Sequence, residues 1–386
     1  MIKSNIWKYY LYRIFGAAVF TMPIWVLYLQ ENGLSLTEVM LLQTVYTITM
    51  LIFTIPFGAL ADLWERKKVL IISQIGIITG YFTFFSGDSF WWFLLGEVFL
   101  GISTASYFGI QEAFLYDTLK QIKESSRFKK VVGNVYAIND VMMGTVGIFG
   151  AAIAALISMR FTFGISIIPL VIAFLICFSF KEPKHKKQLY EKGYFQHIKE
   201  SLIFSWEHKD VRFIIIFGMI IGSFSFLTYF LYQIYFIELG IKIEYIGILY
   251  AILFALSALG AKLCHSVENK LKEKYTSILI IAIPALCFLV IAFTKTWVGI
   301  PFALFVWLVS ASFRATFIND YINKHLSSHH RATILTINNM IGSLFFAIIS
   351  PILGRIGDVY SIRSVFMVMG LVLVGYLGYL LWYFRK

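Results

Sequence analysis

Four charged side chains interrupt long apolar runs of this 386-residue sequence: Glu97, Glu112, Asp140 and Arg314. An ionisable group at the centre of a bilayer costs at least ~2.5 kcal/mol, so it usually faces a cavity or a partner. A carboxyl group in such a low-dielectric place can take up and release a proton at physiological pH. The other interpretation is a static ion pair, in which Glu112 or Asp140 holds Arg314. The residues alone leave both interpretations open.

Uncharged polar residues occur in the same apolar runs, among many aromatic side chains. A mostly apolar cavity with a few polar anchors suits an amphipathic or aromatic molecule better than a sugar, although many of the aromatics are expected at the lipid interface. The sequence contains no P-loop, paired metal ligands or nucleophile constellation, so ATP hydrolysis, catalysis, a metal and a cofactor are not expected. The side chains predicted to line the cavity are Gln111, Asn139, Tyr229, Gln233, Arg314 and Asn338.

The composition of the chain indicates which secondary-structure elements position these residues. Hydrophobic residues make up 59% of the chain and charged residues 14%, and the mean hydropathy is +0.78. A soluble globule cannot hide that much apolar surface, and the apolar runs have the length of a bilayer-spanning helix, about 20 residues. We therefore predict an all-α polytopic membrane protein with twelve transmembrane helices. The predicted spans are near 7–29, 37–60, 69–86, 90–120, 128–156, 161–180, 211–238, 245–265, 277–293, 297–325, 332–354 and 365–383.

Basic loops alternate along the chain with loops that carry few bases. The loops that contain WERKK, KQIKESSRFKK and ENKLKEK fall at every second connection. By the positive-inside rule, both termini of this multi-pass protein are expected on the cytoplasmic side of the cell membrane. The net charge of +12 then sets topology and attracts anionic lipids. Because the bases are scattered over loops, no nucleic-acid partner is expected.

A polar stretch near the middle divides the chain into two halves. Its residues 181–210 are rich in Lys, His and Glu, and helical spacing of apolar residues over 194–213 predicts a helix on the cytoplasmic membrane surface. The predicted domains are two six-helix bundles, 1–180 and 211–386, joined by the linker 181–210. Weak repetition matches Asn139 and Asp140 with Asn338 and Asn339, which is typical of duplicated transporter bundles.

The stretch GALADLWERKK, residues 58–68, follows the second span and places two acids and three bases behind a run of small residues. It resembles the cytoplasmic signature Gly-x-Leu-Ala-Asp-Arg-x-Gly-Arg-Arg/Lys of the major facilitator superfamily. Leu63 and Glu65 replace the usual Arg and Gly of that signature. Together with twelve spans in two halves, the resemblance implies that family's fold, which has two pseudo-symmetric six-helix bundles.

A conformational latch is expected in the same region, built from Gly58, Asp62, Arg66 and Asp117. Arg66 is predicted to pair with Asp117 at the end of the fourth span. Asp62 is predicted to cap or pair near the start of the eleventh helix, where the helix dipole is positive. The resemblance implies that such a latch holds the outward-facing state and breaks when the bundles rock. The alternative is that these bases only set topology.

The fourth and fifth spans depart from the family's patterns. GEVFLGISTA resembles the pattern Arg-x-x-x-Gly-x-x-x-Ala, but Glu97 stands where the arginine belongs. Since the resemblance links that arginine to proton coupling, we assign coupling instead to Glu112 or Asp140. The Pro-containing exporter pattern of the fifth span is matched poorly. Asp140 lies on one face of the fifth helix together with Tyr136, Gly144, Gly147 and Ala151. The small residues of that face allow another helix to approach closely.

These features predict a secondary active transporter of a small amphipathic or aromatic molecule, working by alternating access and most simply by proton-coupled export. One alternative is proton-coupled uptake of an organic anion or nutrient, with Arg314 as the anion contact. Another is a receptor or regulator that kept the fold and lost transport. The expected partners are the small-molecule substrate, protons and membrane lipids, the energy source is a proton gradient without a cofactor, and the chain is expected to be a monomer.

Overall fold

A computed structural model describes residues 2–184, 205–326 and 328–385, apart from the side chains of 328–330 and 332. Secondary structure in this part of the chain is helical throughout. The predicted surface helix over 194–213 begins outside the described residues. In chain order, α1 to α14 are Asn5–Ala17, Trp25–Glu31, Leu36–Leu63, Arg66–Ser86, Phe90–Tyr107, Ile110–Gln121, Phe128–Leu156, Met159–Ser179, Lys209–Glu238, Ile243–Phe293, Gly299–Leu308, Arg314–His325, Ser328–Val359 and Ile362–Tyr383.

Twelve helical segments cross the membrane, as the sequence predicts. Eleven stretches of the described chain are long and apolar enough to do so. One of them, α10, has 51 residues and is interrupted at Lys272, whose φ of 61° and ψ of 167° are not helical. This stretch is therefore two consecutive membrane helices joined by a sharp turn. The all-α polytopic fold is confirmed.

In the part of the chain that the structure describes, three of the spans are broken partway. The first consists of α1 and α2, separated by a short 3₁₀ turn at Met22–Ile24 that contains Pro23. The fourth consists of α5 and α6, separated at Gly109. The tenth consists of α11 and α12, separated by a π-helical turn at Val309–Phe313. Breaks inside membrane helices expose backbone groups that need partners, so they are tolerated where protein or a polar cavity supplies them.

The chain divides into two compact units. Unit 1 comprises Met1–Leu34, Leu41–Leu189 and Lys242–Ala251, and unit 2 comprises Ser35–Met40, Tyr190–Ile241 and Ile252–Lys386. In unit 1 the ring of Phe180 packs on Tyr12 and Phe114, with ring centroids 5.8 and 4.8 Å away. In unit 2 the ring of Phe366 packs on Tyr232 and Tyr235 of α9, at 5.9 and 5.5 Å. The predicted domain boundaries, 1–180, 181–210 and 211–386, stay a prediction.

Candidate functional site

A buried arginine of α1 joins side chains from three other helices of unit 1. Arg13 is 7% exposed. Its Nη1 donates to the hydroxyl of Tyr107 at 3.1 Å and to Oε1 of Gln111, and its Nη2 donates to Oδ1 of Asn139 at 3.3 Å. The guanidinium carbon lies 5.6 Å from the centroid of the Tyr107 ring, within cation–π range. Two predicted cavity residues, Gln111 and Asn139, are thus held together by a residue that the sequence did not single out.

The partners of Arg13 are all neutral. Among the described residues, no carboxylate lies within ion-pair distance of its guanidinium. Its Nε is buried and makes no hydrogen bond. Taking an ion out of water costs several kcal/mol unless it is both paired and fully hydrogen-bonded. Arg13 therefore has unused capacity to bind an anionic group.

The break in the fourth span lies beside Arg13. Tyr107 ends α5, and Gln111 lies in the first turn of α6. Between them Gly109 has a φ of 77°, a conformation that glycine adopts without a steric cost. The first N–H groups of α6 have no partner within the helix and form the positive end of its dipole. Interrupted helices of this kind form the binding sites of many secondary transporters.

Glu112, a predicted proton carrier, lies in the same first turn of α6. Its Oε1 accepts a hydrogen bond from the hydroxyl of Tyr136 in α7, and Tyr136 is within electrostatic range of Arg13. Asp140, the other predicted carrier, lies one turn beyond Tyr136, is exposed, and forms no ion pair among the described residues. Of the two acids, Glu112 is the one that hydrogen-bonds to a residue within electrostatic range of Arg13.

The stripe of α7 beyond Asp140 packs closely against another helix, as its small residues predict. A Cβ on Gly144 would lie 3.7 Å from Cα of Ala251 in α10. A Cβ on Gly247 would meet the Gly147 carbonyl oxygen and would lie 2.9 Å from the Ala151 side chain. Close contact of two backbones explains why this part of α7 carries small residues.

Arg314 begins α12, directly after the π-helical turn of the tenth span. Its Nε donates to the Ser310 carbonyl oxygen at 2.7 Å, and the Ser310 hydroxyl donates to that of Ser225 at 3.2 Å. A Cβ on Gly222 would lie 2.9 Å from Nη1 of Arg314. The guanidinium therefore packs against α9 at a position where glycine leaves room for it. Within unit 2, no described acidic side chain pairs with Arg314. Single π-helical turns occur frequently at functional sites.

Asn338 of α13 lies on the same face of α9, one turn away from the Arg314 contact. It is 6% exposed, and its Oδ1 contacts the backbone of Gly218 and makes no hydrogen bond. Gly218 and Gly222 are four residues apart, so they share one helix face. Two glycines of α9 thus make room for two predicted cavity residues of unit 2.

The other two predicted cavity residues belong to the interior of unit 2. Gln233 is fully buried in α9. The ring of Tyr229 packs 5.9 Å from that of Trp307 in α11. The structure therefore brings Tyr229 to the helix that precedes the break before Arg314.

The predicted partner of Arg66 is present. Nη1 of Arg66, at the start of α4, lies 2.7 Å from Oδ2 of Asp117 in α6, at an angle outside the range of a hydrogen bond. Glu182 accepts hydrogen bonds from the backbone N–H groups of Arg66 and Lys67 at 2.9 and 2.8 Å. Gly58 lies within α3 with open space beside it, and the chain reverses after Leu63, where α3 ends. The pairing of Asp62 with the eleventh span stays a prediction.

A sequence profile described as Major Facilitator Superfamily matches residues 10–349. The chain belongs to the major facilitator superfamily. It is a multi-pass membrane transporter, not an enzyme. Among curated proteins, this superfamily member is 25% identical over 308 residues to "Uncharacterized transporter BU466" of Buchnera aphidicola subsp. Acyrthosiphon pisum (strain APS), covering 76% of this chain and 74% of that protein.

Solved structures of superfamily transporters share the fold. The nucleoside transporter NupG has a TM-score of 0.76 at 14% identity, covering 100% of this chain and 99% of that chain. A bacterial homologue of the human lysosomal transporter Spinster has a TM-score of 0.73 at 15% identity, covering 98% and 94%. The human organic anion transporter MFSD10 has a TM-score of 0.65 at 13% identity, covering 98% and 99%. At these identities the likeness shows the fold alone.

Proposed function

We propose that this protein is a secondary transporter of a small organic anion with an amphipathic or aromatic body, and that Arg13 contacts the anionic group. The observation that carries the proposal is that Arg13 is only 7% exposed, that its guanidinium has only neutral partners among the described residues, and that its Nε makes no hydrogen bond. Arginine does not lose its proton in proteins, so a carboxylate or phosphate is the group that best matches its remaining donors.

Two further features favour an anion. The unpaired N–H groups at the start of α6 lie in the turn that holds Gln111, a direct partner of Arg13, and a helix N-terminus stabilises negative charge. In unit 2, Arg314 follows a second broken helix, and no described acidic side chain of that unit pairs with it. Interruptions at corresponding positions of two halves are the best sequence-level pointer to a transporter's binding site.

The proposed body of the substrate follows from aromatic rings among the candidate residues of each unit. The Tyr107 ring faces Arg13, and Tyr229 packs on Trp307 in unit 2. Mostly apolar walls with a few polar groups suit a molecule with an apolar part. The proposed substrate is therefore amphipathic, as expected from the sequence. It also carries a negative charge, as in the alternative of organic-anion uptake. Similarity in fold to a nucleoside transporter and to an organic anion transporter does not decide between substrates.

Coupling to protons is part of the proposal, with Glu112 as a carrier. Glu112 is linked through Tyr136 to the neighbourhood of Arg13, so an anion on Arg13 and a negative Glu112 would repel each other. Protonation of Glu112 removes that repulsion. Because an anion that enters with a proton is not opposed by a negative membrane potential, we propose uptake as the direction, with both termini cytoplasmic as the basic loops indicate.

The test is transport in proteoliposomes that contain the pH-sensitive dye pyranine. Glucuronate, hippurate and uridine monophosphate are added outside in turn, with glucuronamide, hippuramide and uridine as their uncharged counterparts. We expect at least one acid, and no uncharged counterpart, to acidify the interior faster than in protein-free liposomes. Transport of uncharged counterparts alone would contradict the proposal, and absence of any flux would favour the receptor alternative.

A further inference from the structure

Glu97 is a buried acid of unit 1 outside the arginine cluster, the group formed by Arg13, Tyr107, Gln111 and Asn139. Glu97 is on α5, where the family pattern has an arginine, and it is 1% exposed. Its Oε1 accepts a hydrogen bond from Nε2 of Gln43 in α3 at 2.7 Å. One turn further along α5, a Cβ on Gly101 would lie 2.8 Å from the Tyr46 carbonyl oxygen and from Cβ of Thr49. The carboxyl group therefore faces a tightly packed seam between α5 and α3.

The groups around Glu97 carry no positive charge. From α2, the buried indole N–H of Trp25 faces the carboxyl as a second neutral donor. The titratable groups in electrostatic range are Tyr46 of α3 and Tyr81 of α4. Their hydroxyls are engaged elsewhere: Tyr46 donates to Thr104 at 3.0 Å, and Tyr81 bonds to Thr21 at 3.0 Å. No cation of the described chain lies in range of the carboxyl.

The ionised form of Glu97 is unfavourable in this buried, uncharged environment. An ionised carboxyl removed from water needs an opposite charge or several donors, and one amide together with one indole N–H does not replace its hydration. The neutral acid has no such requirement, since it needs only ordinary hydrogen bonds. The packing around Glu97 thus selects the protonated side chain, and ionisation requires the seam to open to water or to a cation.

The helix that carries Gln43, α3, has residues in both units. The first turn of α3 belongs to unit 2, where the Leu36 and Thr37 N–H groups each donate to the Asp358 carboxylate at 2.8 Å. From Leu41 onward, α3 belongs to unit 1, and Gln43 is two residues beyond that point. A displacement of the first turn of α3 would therefore strain the helix beside the contact between Gln43 and Glu97.

We infer that Glu97 is a proton-binding residue of the transport cycle, which holds a proton while Gln43 bonds to it and loses the proton when that contact opens. The step is the reversible ionisation of one carboxyl group, with the proton exchanged with water. The inference rests on the proposed proton-coupled transport and adds a carrier to Glu112. Arg13 is not among the groups that act electrostatically on Glu97, so substitution of Glu97 should leave anion binding intact.

Infrared spectroscopy on the purified protein tests the protonation without any substrate. The wild type is compared with Glu97→Gln and with Glu31→Gln, which removes an exposed acid. At neutral pH we expect the wild type and Glu31→Gln to show the C=O stretch of a carboxylic acid that Glu97→Gln lacks. The band should be lost reversibly in alkaline buffer. An identical band in Glu97→Gln, or one that survives every pH at which the protein stays folded, would overturn the inference.

Transport separates this inference from the proposed function. In proteoliposomes, Glu97→Gln should still exchange internal for external labelled uridine monophosphate, or whichever acid of the panel the wild type moves, but should not accumulate it under a pH gradient. Glu97→Asp, which keeps the acid, should retain some accumulation. If the wild type moves no acid, the proposed function fails; if it does and Glu97→Gln accumulates equally well, only the role of Glu97 fails.

Discussion

Nη2 of Arg13 in α1 donates a hydrogen bond to Oδ1 of Asn139 in α7 at 3.3 Å. This contact ties a predicted cavity residue to a cation that lies near the N-terminus of the sequence. Because every observed partner of Arg13 is neutral, its charge is the feature of unit 1 that most favours an anionic ligand.

Replacing Arg13 should weaken anion binding. Arg13→Gln removes the charge, and we expect the Kd for an organic acid to rise about 10- to 100-fold, since a hydrogen bond to a charged group contributes roughly 1.5–3 kcal/mol. Arg13→Lys should lie between, because lysine keeps the charge and loses the planar fork. Arg160→Gln is the matched control, since Arg160 donates to Asn32 at 3.1 Å, away from the cluster. Titration calorimetry measures each Kd, and an unchanged value in Arg13→Gln would count against the site.

The sequence predicted the helices around the Arg13 site, but it did not predict Arg13 itself as a site residue. Runs of about 20 apolar residues gave the twelve spans because the bilayer fixes that length. Arg13 was overlooked because it ends the basic stretch MIKSNIWKYYLYR, where positive charges ordinarily set topology. Burial of its side chain depends on packing by α5, α6 and α7, and local spacing does not encode those contacts. The pairing of Arg66 with Asp117 was predictable, since both residues lie at the ends of neighbouring spans.

Helix breaks were a second feature that apolar periodicity concealed. The π-helical turn before Arg314 lies in VSASF, which contains no proline or glycine that would predict a break. Gly109 was a usable signal, because a glycine between a tyrosine and polar residues within an apolar run is consistent with an interrupted helix. Mean hydropathy does not change at such a break, which is why each broken span was predicted as one continuous helix.

Gly109→Ala should destabilise the protein through its backbone. Gly109 has a φ of 77°, and a residue with a side chain is strained there by roughly 1–2 kcal/mol. Gly133→Ala is the matched control, because that glycine lies in α7 with open space beside it. Differential scanning fluorimetry should show a lower melting temperature for Gly109→Ala and an equal or higher one for Gly133→Ala. Equal melting temperatures for Gly109→Ala and the wild type would show that the junction between α5 and α6 does not require a residue with positive φ.

Gly222→Ala should affect ligand binding more than stability. The added Cβ would lie 2.9 Å from Nη1 of Arg314, and the end of a flexible side chain can move away at little cost. The displaced guanidinium should bind an anion less well, whereas Gly375→Ala, at a position with open space, should bind normally. Kd values and melting temperatures of the two variants are compared. A large loss of stability without a change in Kd would indicate a packing role alone.

Arg314→Ala distinguishes an anion contact from a static ion pair. The observed partner of Arg314 is the Ser310 carbonyl oxygen, so we expect the single variant to fold with a melting temperature near that of the wild type and to lose affinity for acids. A buried carboxylate that lost its only cation would instead cost about 3–5 kcal/mol. Combining Arg314→Ala with Asp140→Asn or Glu112→Gln tests this directly. Recovery of stability in either double variant would show that the ion pair exists.

The latch is tested by a double-mutant cycle. Arg66→Ala and Asp117→Asn each remove one member of the pair separated by 2.7 Å, so each should lower transport while membrane insertion is retained. The double variant should be no worse than the singles, because residues in contact are not additive. Lys68→Ala is the control, as Lys68 pairs with Glu65 at the exposed surface. Additive losses, or unchanged flux in both single variants, would leave the bases with a topogenic role only.

Binding of matched acid and amide pairs by the wild-type protein and by Arg13→Gln tests the central claim most directly. Purified protein is melted with glucuronate, hippurate or uridine monophosphate, and with glucuronamide, hippuramide or uridine. A ligand of the folded state raises stability by RT ln(1 + [L]/Kd). We predict that at least one acid raises the melting temperature of the wild type, that its uncharged counterpart does not, and that Arg13→Gln loses the effect. Equal stabilisation by both members of every pair that binds, or full retention of the acid effect in Arg13→Gln, would contradict anion recognition by Arg13.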